Sequence, residues 1–327
     1  MSGNGSGRVP VDYIEAHLPP AIDVVPHPLP RRRPITLALV LFVLTIISTL
    51  AVGAEFARSY ASNEAPFSLD ENPLVTMVRP FEHPGLLLTG IPFSFTLLTI
   101  LLAHELGHYF ACCYYGIDVS FPYFLPAPSF FGTFGAFIRI RSPITTRRAL
   151  FDVGIAGPVV GFLFAIPALA LGVLNSKIVP DADLNAAIIF GHPLLLQFFM
   201  HLFHPNIRAQ DILLHPVGRA AWVGLFATAL NLLPVWQLDG GHIVYSLTSG
   251  RHRRISLAVS LILVVTGAFY WRGWIFWGVL LALLTLRFRH PPLYDPWVQL
   301  DAKRKVWALV ALVIFLLCFT PWPTNNP

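Results

Sequence analysis

Charge is scarce in this chain. Only 12% of its 327 residues are Asp, Glu, Lys or Arg, while 55% are hydrophobic. That balance excludes a disordered polypeptide and an ordinary water-facing surface. Cysteine is scarcer still: Cys112, Cys113 and Cys318 lie in apolar stretches, two of them adjacent. They offer neither a disulfide framework nor a cysteine–metal cluster. The basic excess is small, 22 Lys and Arg against 17 Asp and Glu, and is scattered rather than massed, so no nucleic-acid partner is expected. The sequence also lacks an internal repeat, which weakens a transporter built from duplicated halves. Glutamate runs out early: there are six, and Glu105 is the last.

What the chain has instead is a succession of apolar runs, near 34–53, 91–113, 149–174, 216–237, 254–270, 274–288 and 305–320. A membrane-spanning helix needs about 20 such residues, so the pattern predicts an all-α polytopic protein of six to seven transmembrane helices in a lipid bilayer. Residues 1–33 are polar, contain Asp12, Glu15 and Asp23, and end in Arg31-Arg32-Arg33; they read as a flexible cytoplasmic tail. Nothing in them resembles a cleaved signal or transit peptide, which favours a bacterial plasma (inner) membrane over an organelle. Arg31–Arg33, then Arg139, Arg141, Arg147 and Arg148, then Arg251, Arg253 and Arg254, then Lys303, Arg304 and Lys305 mark alternate connections. Those connections, and the N-terminus, are expected on the cytoplasmic side. The intervening loops, 54–84 and 176–215, carry most of the remaining acids.

An acid within an apolar helix is expensive and therefore a first place to look for function. Glu105 stands in His104-Glu105-Leu106-Gly107-His108, in the second run. On a helix the two histidines, four apart, share a face and reach one metal ion; the intervening glutamate suits a base that takes a proton from water as it attacks a carbonyl. A catalytic zinc site has three protein ligands and one open position. Position 114 is Tyr rather than a third His, and no later Glu exists, so the third ligand is a downstream Asp or His. Asp239 is the best candidate, because it falls at the cytoplasmic end of the fourth run, level with the histidine pair. Asp118, Asp152 and His242 are the alternatives. Pro234 is expected to break or kink the fourth helix, so that Asn231 and Asp239 face one cavity across an irregular turn.

Three motifs together resemble the site-2 protease family of intramembrane zinc metalloproteases, of the type lacking a PDZ domain: His104-Glu105-Leu106-Gly107-His108, the segment from Asn231 through Pro234 to Leu238-Asp239-Gly240, and Gly154-Ile155-Ala156-Gly157-Pro158-Val159-Val160-Gly161. The resemblance covers roughly residues 85–250. It implies one Zn²⁺ per chain held by His104, His108 and Asp239, Glu105 as catalytic base, and Asn231 positioning the substrate or stabilising an oxyanion. It also implies hydrolysis of a peptide bond within a transmembrane segment of another membrane protein, near the cytoplasmic side. The division that follows is a tail at 1–33, a metalloprotease core at 34–250 and C-terminal transmembrane helices at 251–327. A catalytically silent scaffold with a structural metal, or a metal-ion transporter, would use the same ligands. The sequence is silent on oligomeric state and on the identity of the substrate.

Between the second and third runs, Phe131–Arg141 alternates from Ala136 like a strand and carries two glycines. It predicts a short membrane-associated β-hairpin whose edge adds a strand from an unwound substrate, as the family is thought to do. Gly154, Gly157 and Gly161 are at helical spacing and point to close helix packing. Trp271, Trp274 and Trp277 read as an interfacial belt, Cys112 and Cys113 as ordinary thiols rather than lipidation sites, and His201, His204 and His215 as outer-loop residues without a second metal.

Overall fold

The computed structural model describes residues 35–64, 73–82, 84–180, 190–288, 290–293, 295 and 298–324. The tail expected over 1–33 lies outside them, as do Asp70, Glu71, Asp181 and Asp183 of the outer loops. Helix dominates because an apolar run in lipid must satisfy its backbone within the segment. Ten α-helices follow in order among the described residues: α1 Thr36–Ser62, α2 Pro73–Glu82, α3 Ile91–Tyr114, α4 Arg147–Leu174, α5 Leu194–Phe203, α6 Pro216–Asn231, α7 Asp239–Thr248, α8 His252–Phe269, α9 Gly273–Arg287 and α10 Ala302–Cys318.

Among the described residues four stretches are long and apolar enough to cross a membrane: Thr36–Ser62, Pro84–Tyr114, Arg147–Leu174 and His252–Phe269. The other expected spans are shorter helices, of 16 residues in α6, 15 in α9 and 17 in α10. Their starts follow local chemistry. Thr146 caps α4 by accepting from the Ala149 N–H at 3.3 Å, and Asp301 caps α10 by accepting from the Arg304 N–H at 2.9 Å, each meeting a donor that the first turn leaves unpaired. The first half of α1 exposes Leu37, Leu39, Val40 and Val43, while Ala51, Val52, Ala54 and Phe56 are buried. One end of that helix therefore presents an apolar surface and the other joins the core.

The core forms where α3 packs against α4 and α6. The approach is close: a Cβ at Gly107 of α3 would lie 2.6 Å from the Ala156 carbonyl oxygen of α4. Small residues bring these backbones into contact, as their spacing suggested.

Between α3 and α4, β1 (Tyr123–Pro126) pairs antiparallel with β2 (Thr133–Phe137), joining Tyr123 to Phe137, Phe124 to Ala136 and Pro126 to Thr133, with an irregularity between the last two pairs. A hairpin was expected here, but β2 ends close to where the sequence alternation begins. Beyond it, Ile140 makes only a single bridge to Val119. Gly132 and Gly135 explain the shift, since both have positive φ, 74° and 98°. Such conformations suit glycine and fit an irregularity at this point. The hairpin is fastened to α1 by the Ser48 hydroxyl, which donates to the Gly132 carbonyl at 2.6 Å. A second, smaller pair joins β3 (Lys177–Ile178) to β4 (Ile212–Leu213).

The fourth run differs from its sequence reading in one respect. Asp239 does not end that helix; α6 stops at Asn231 and Asp239 opens α7. Pro234 has no N–H to continue a helix and disfavours helical backbone in the residue before it. The turn closes through bonds from the Val235 N–H to Leu233 O at 2.7 Å and from the Leu238 N–H to Val235 O at 3.2 Å. Gly240 and Gly241 let α7 fold back onto it, because a Cβ at either would lie 2.0 Å from Leu232 O or 2.5 Å from Trp236 O.

Candidate metal centre

His104 and His108 lie on one face of α3, buried where that helix meets α4. The turn after α6 brings Asp239 to the same point from another direction. The two imidazole Nε2 atoms are 3.1 Å apart. Asp239 Oδ2 is 3.2 Å from His104 Nε2 and 3.3 Å from His108 Nε2. Among the described residues these form the one group of three or more His, Cys, Asp or Glu with ligand atoms gathered closely enough to hold an ion.

The protonation pattern makes the gathering informative. His108 Nδ1 is 2.7 Å from the Val153 carbonyl oxygen, so Nδ1 carries the donated proton and Nε2 presents its lone pair inward. Asn231 Nδ2 is 3.3 Å from His104 Nε2. Asp239 Oδ2 is buried and has no hydrogen-bond partner. A lone-pair nitrogen of His108 and a carboxylate oxygen of Asp239 facing each other at 3.3 Å inside a protein are unfavourable unless a cation or a proton lies between them. Tetrahedral zinc with bonds of about 2.0–2.1 Å separates neighbouring ligand atoms by about 3.3 Å, and these separations are 3.1–3.3 Å. The donor set and its spacing fit zinc.

The alternatives for the third ligand are engaged elsewhere. Asp152 is ion-paired with Arg304 and hydrogen-bonded by Tyr115. Asp118 lies 3.6 Å from Arg141, and His242 Nδ1 is 2.9 Å from His290 Nε2. In the outer loop, His204 Nε2 bonds the Val173 carbonyl at 2.9 Å.

Glu105 is 5% exposed and lies beside the backbone of Ile138, just past β2. With His104 and Asn231 it lines a cavity of about 160 Å³, whose other walls include Phe134, Gly135 and Ala136 of β2. Charged, amide and strand-backbone groups thus share one enclosure otherwise lined mainly by apolar side chains.

Three contributors were not found from the sequence. The Val153 carbonyl orients His108, but a backbone acceptor leaves no residue-type signal. Gly157 was read as packing only, yet a Cβ there would lie 2.1 Å from His108 Nε2, so the glycine is the floor on which the imidazole rests. Gly161 similarly abuts His104, whose Cβ would be 3.0 Å away. Trp274 departs from the belt reading: it is 1% exposed and donates from Nε1 to the Pro321 carbonyl at 2.9 Å.

A helical membrane protein with a His-x-x-x-His pair completed by a distant aspartate defines a class, and sequence comparison agrees with it. The model of Peptidase family M50 matches residues 92–271, and the chain belongs to that family, the one its motifs resembled. Relatives include a probable zinc metalloprotease EGY1, chloroplastic, of Arabidopsis thaliana, 30% identical over 298 residues, covering 87% of this chain and 53% of the relative. The protein of the same name from Oryza sativa subsp. japonica is 31% identical over 216 residues, 63% of this chain and 36% of its own length. A probable zinc metalloprotease EGY2, chloroplastic, of Arabidopsis thaliana is 28% identical over 253 residues, or 76% and 44%. The chain therefore spans about half the length of these relatives, or less.

Proposed function

We propose that the protein is an intramembrane zinc metalloprotease that hydrolyses a peptide bond within a transmembrane segment of another membrane protein, near the cytoplasmic side. The observation that carries this reading is the convergence of His104, His108 and Asp239 beside the buried Glu105 in a cavity walled by a β-strand. Zinc bound by the three ligands would supply Lewis acidity at its remaining open position. Glu105 takes the proton from the water that attacks the scissile carbonyl and delivers it to the leaving amine. Asn231, on the same cavity wall, offers its amide N–H to the charge that develops on the carbonyl oxygen. Among the described residues β2 is paired only with β1, and we assign its other edge to an extended substrate strand, because a helical peptide bond is shielded by its own hydrogen bonds.

The catalytic core on this reading is 34–250, with the remaining helices at 251–327, and the basic connections put the N-terminus in the cytoplasm. The relatives are named as chloroplastic, which runs against a bacterial plasma membrane as the home of this chain; the positive-inside argument applies in either setting. A silent scaffold or a metal-ion transporter would bind the same ion but leaves Glu105 without a role. The test is cleavage of a membrane-embedded helical substrate by the purified protein. A strong zinc chelator should abolish cleavage and added zinc should restore it. Cleavage that persists with the metal removed contradicts the proposal.

A further inference from the structure

The cavity beside Glu105 has two unlike ends. At one, His104 of α3 meets Asn231 of α6, with 3.3 Å between their nitrogens. At the other, Ile100 of α3 packs against Gly224 of α6, where an added Cβ would lie 2.8 Å from the isoleucine Cγ2. The two helices therefore run side by side in the same direction, with the cavity between them. It closes one to two helical turns from the metal centre, roughly 6–10 Å.

Among the described residues Glu105 is the only carboxylate on the wall, and neither lysine nor arginine lines it. Away from the metal end the lining is apolar, with Leu101, Ala227, Leu230 and Leu238 facing Trp277 of α9 across the space. Ala227, Leu230, Leu238 and Trp277 are half-buried rather than sealed, so part of each surface stays open. A charged or amide side chain placed there would find no partner and would lose its hydration.

The remaining wall belongs to β2. A strand laid along the free edge of β2 sends alternate side chains to one side, so one residue adjoining the scissile bond points into this space. We propose that the cavity is the pocket for that single apolar side chain, that it accepts Leu or Phe, and that Ala227 and Trp277 set its size. The assignment rests on the peptidase reading given above. Its volume, about 160 Å³, is close to the roughly 150 Å³ of an apolar protein cavity that holds one benzene molecule. An alanine side chain leaves such a space mostly empty, and an indole overfills it.

The test is binding of synthetic transmembrane helices, loosened by a central Gly-Pro pair, to the zinc-loaded full chain carrying Glu105→Gln, which holds a helix without cutting it. Each residue flanking the pair is set in turn to Ala, Leu, Phe or Trp. At one position Leu and Phe should bind about tenfold tighter than Ala and Trp, the scale on which apolar pockets separate side chains. Adding Ala227→Leu should reverse the preference for Leu over Ala, and adding Trp277→Ala should admit Trp. The second change, at a half-buried position, keeps the test open if the first overpacks and does not fold. With Glu105 restored, kcat/KM should follow the same ranking. The pocket is overturned if no position discriminates by size, or if the folded variants keep the original ranking. A chain that ranks the helices as expected but cuts none contradicts the peptidase reading and leaves the pocket standing; one that cuts without ranking overturns the pocket alone.

Discussion

His108 is held on three sides: Val153 accepts from Nδ1, Gly157 lies beneath the ring, and Asp239 faces Nε2. A methyl group at position 157 would occupy the ring's place. G157A is therefore expected to lower zinc affinity about 10- to 100-fold, the range seen when groups that orient a ligand are disturbed, with a smaller effect on helix content. Metal titration alongside circular dichroism checks this; unchanged zinc affinity would show that the ring has room to move. The histidine pair was legible in the sequence because side chains four apart on a helix must share a face. The cradle was not, since glycine spacing signals proximity without saying what approaches. For Asp239, elimination among the acids singled out the residue that the structure brings beside the two histidines, while Asp118 and Asp152 lie against arginines.

At the scale of elements, the hairpin depends on Thr133. Its hydroxyl donates to the Leu125 carbonyl at 2.7 Å and accepts from the Gly135 N–H at 3.0 Å, so it fastens the loop side of β2 to β1. T133V removes both bonds while nearly keeping the volume. It should loosen the strand by about 1–3 kcal/mol, reducing cleavage several-fold while zinc stoichiometry stays unchanged. Equal turnover in the variant would detach the hairpin from substrate binding. The sequence announced a strand here but neither its partner nor its limits. Tyr123–Pro126 follows Pro122 and ends in Pro126, which argue locally against a strand, and only tertiary pairing overrides them. The break after Asn231 was legible from Pro234, whereas the new helix starting at Asp239 depends on Gly240 and Gly241 fitting against the turn.

For the whole molecule, alternation of basic connections predicts which positions share a side. In a background lacking the three native cysteines, R251C should react with a membrane-impermeant thiol reagent from the cytoplasmic face and N206C from the opposite face. Labelling of both from one side would overturn the proposed orientation. The apolar runs gave the order of the helices because lipid demands long uninterrupted hydrophobic segments. They gave less about the short helices α2 and α5, which lie in connections that the same composition rule treats as loops.

The central claim is that one zinc ion and the Glu105 carboxylate act together on a peptide bond, and the most direct test is paired measurement on Glu105→Gln. Bound zinc per chain should remain near one, while turnover of a membrane-helix substrate should fall by about 10²–10⁴-fold, the usual contribution of a general base. Zinc retained with turnover undiminished would contradict the account.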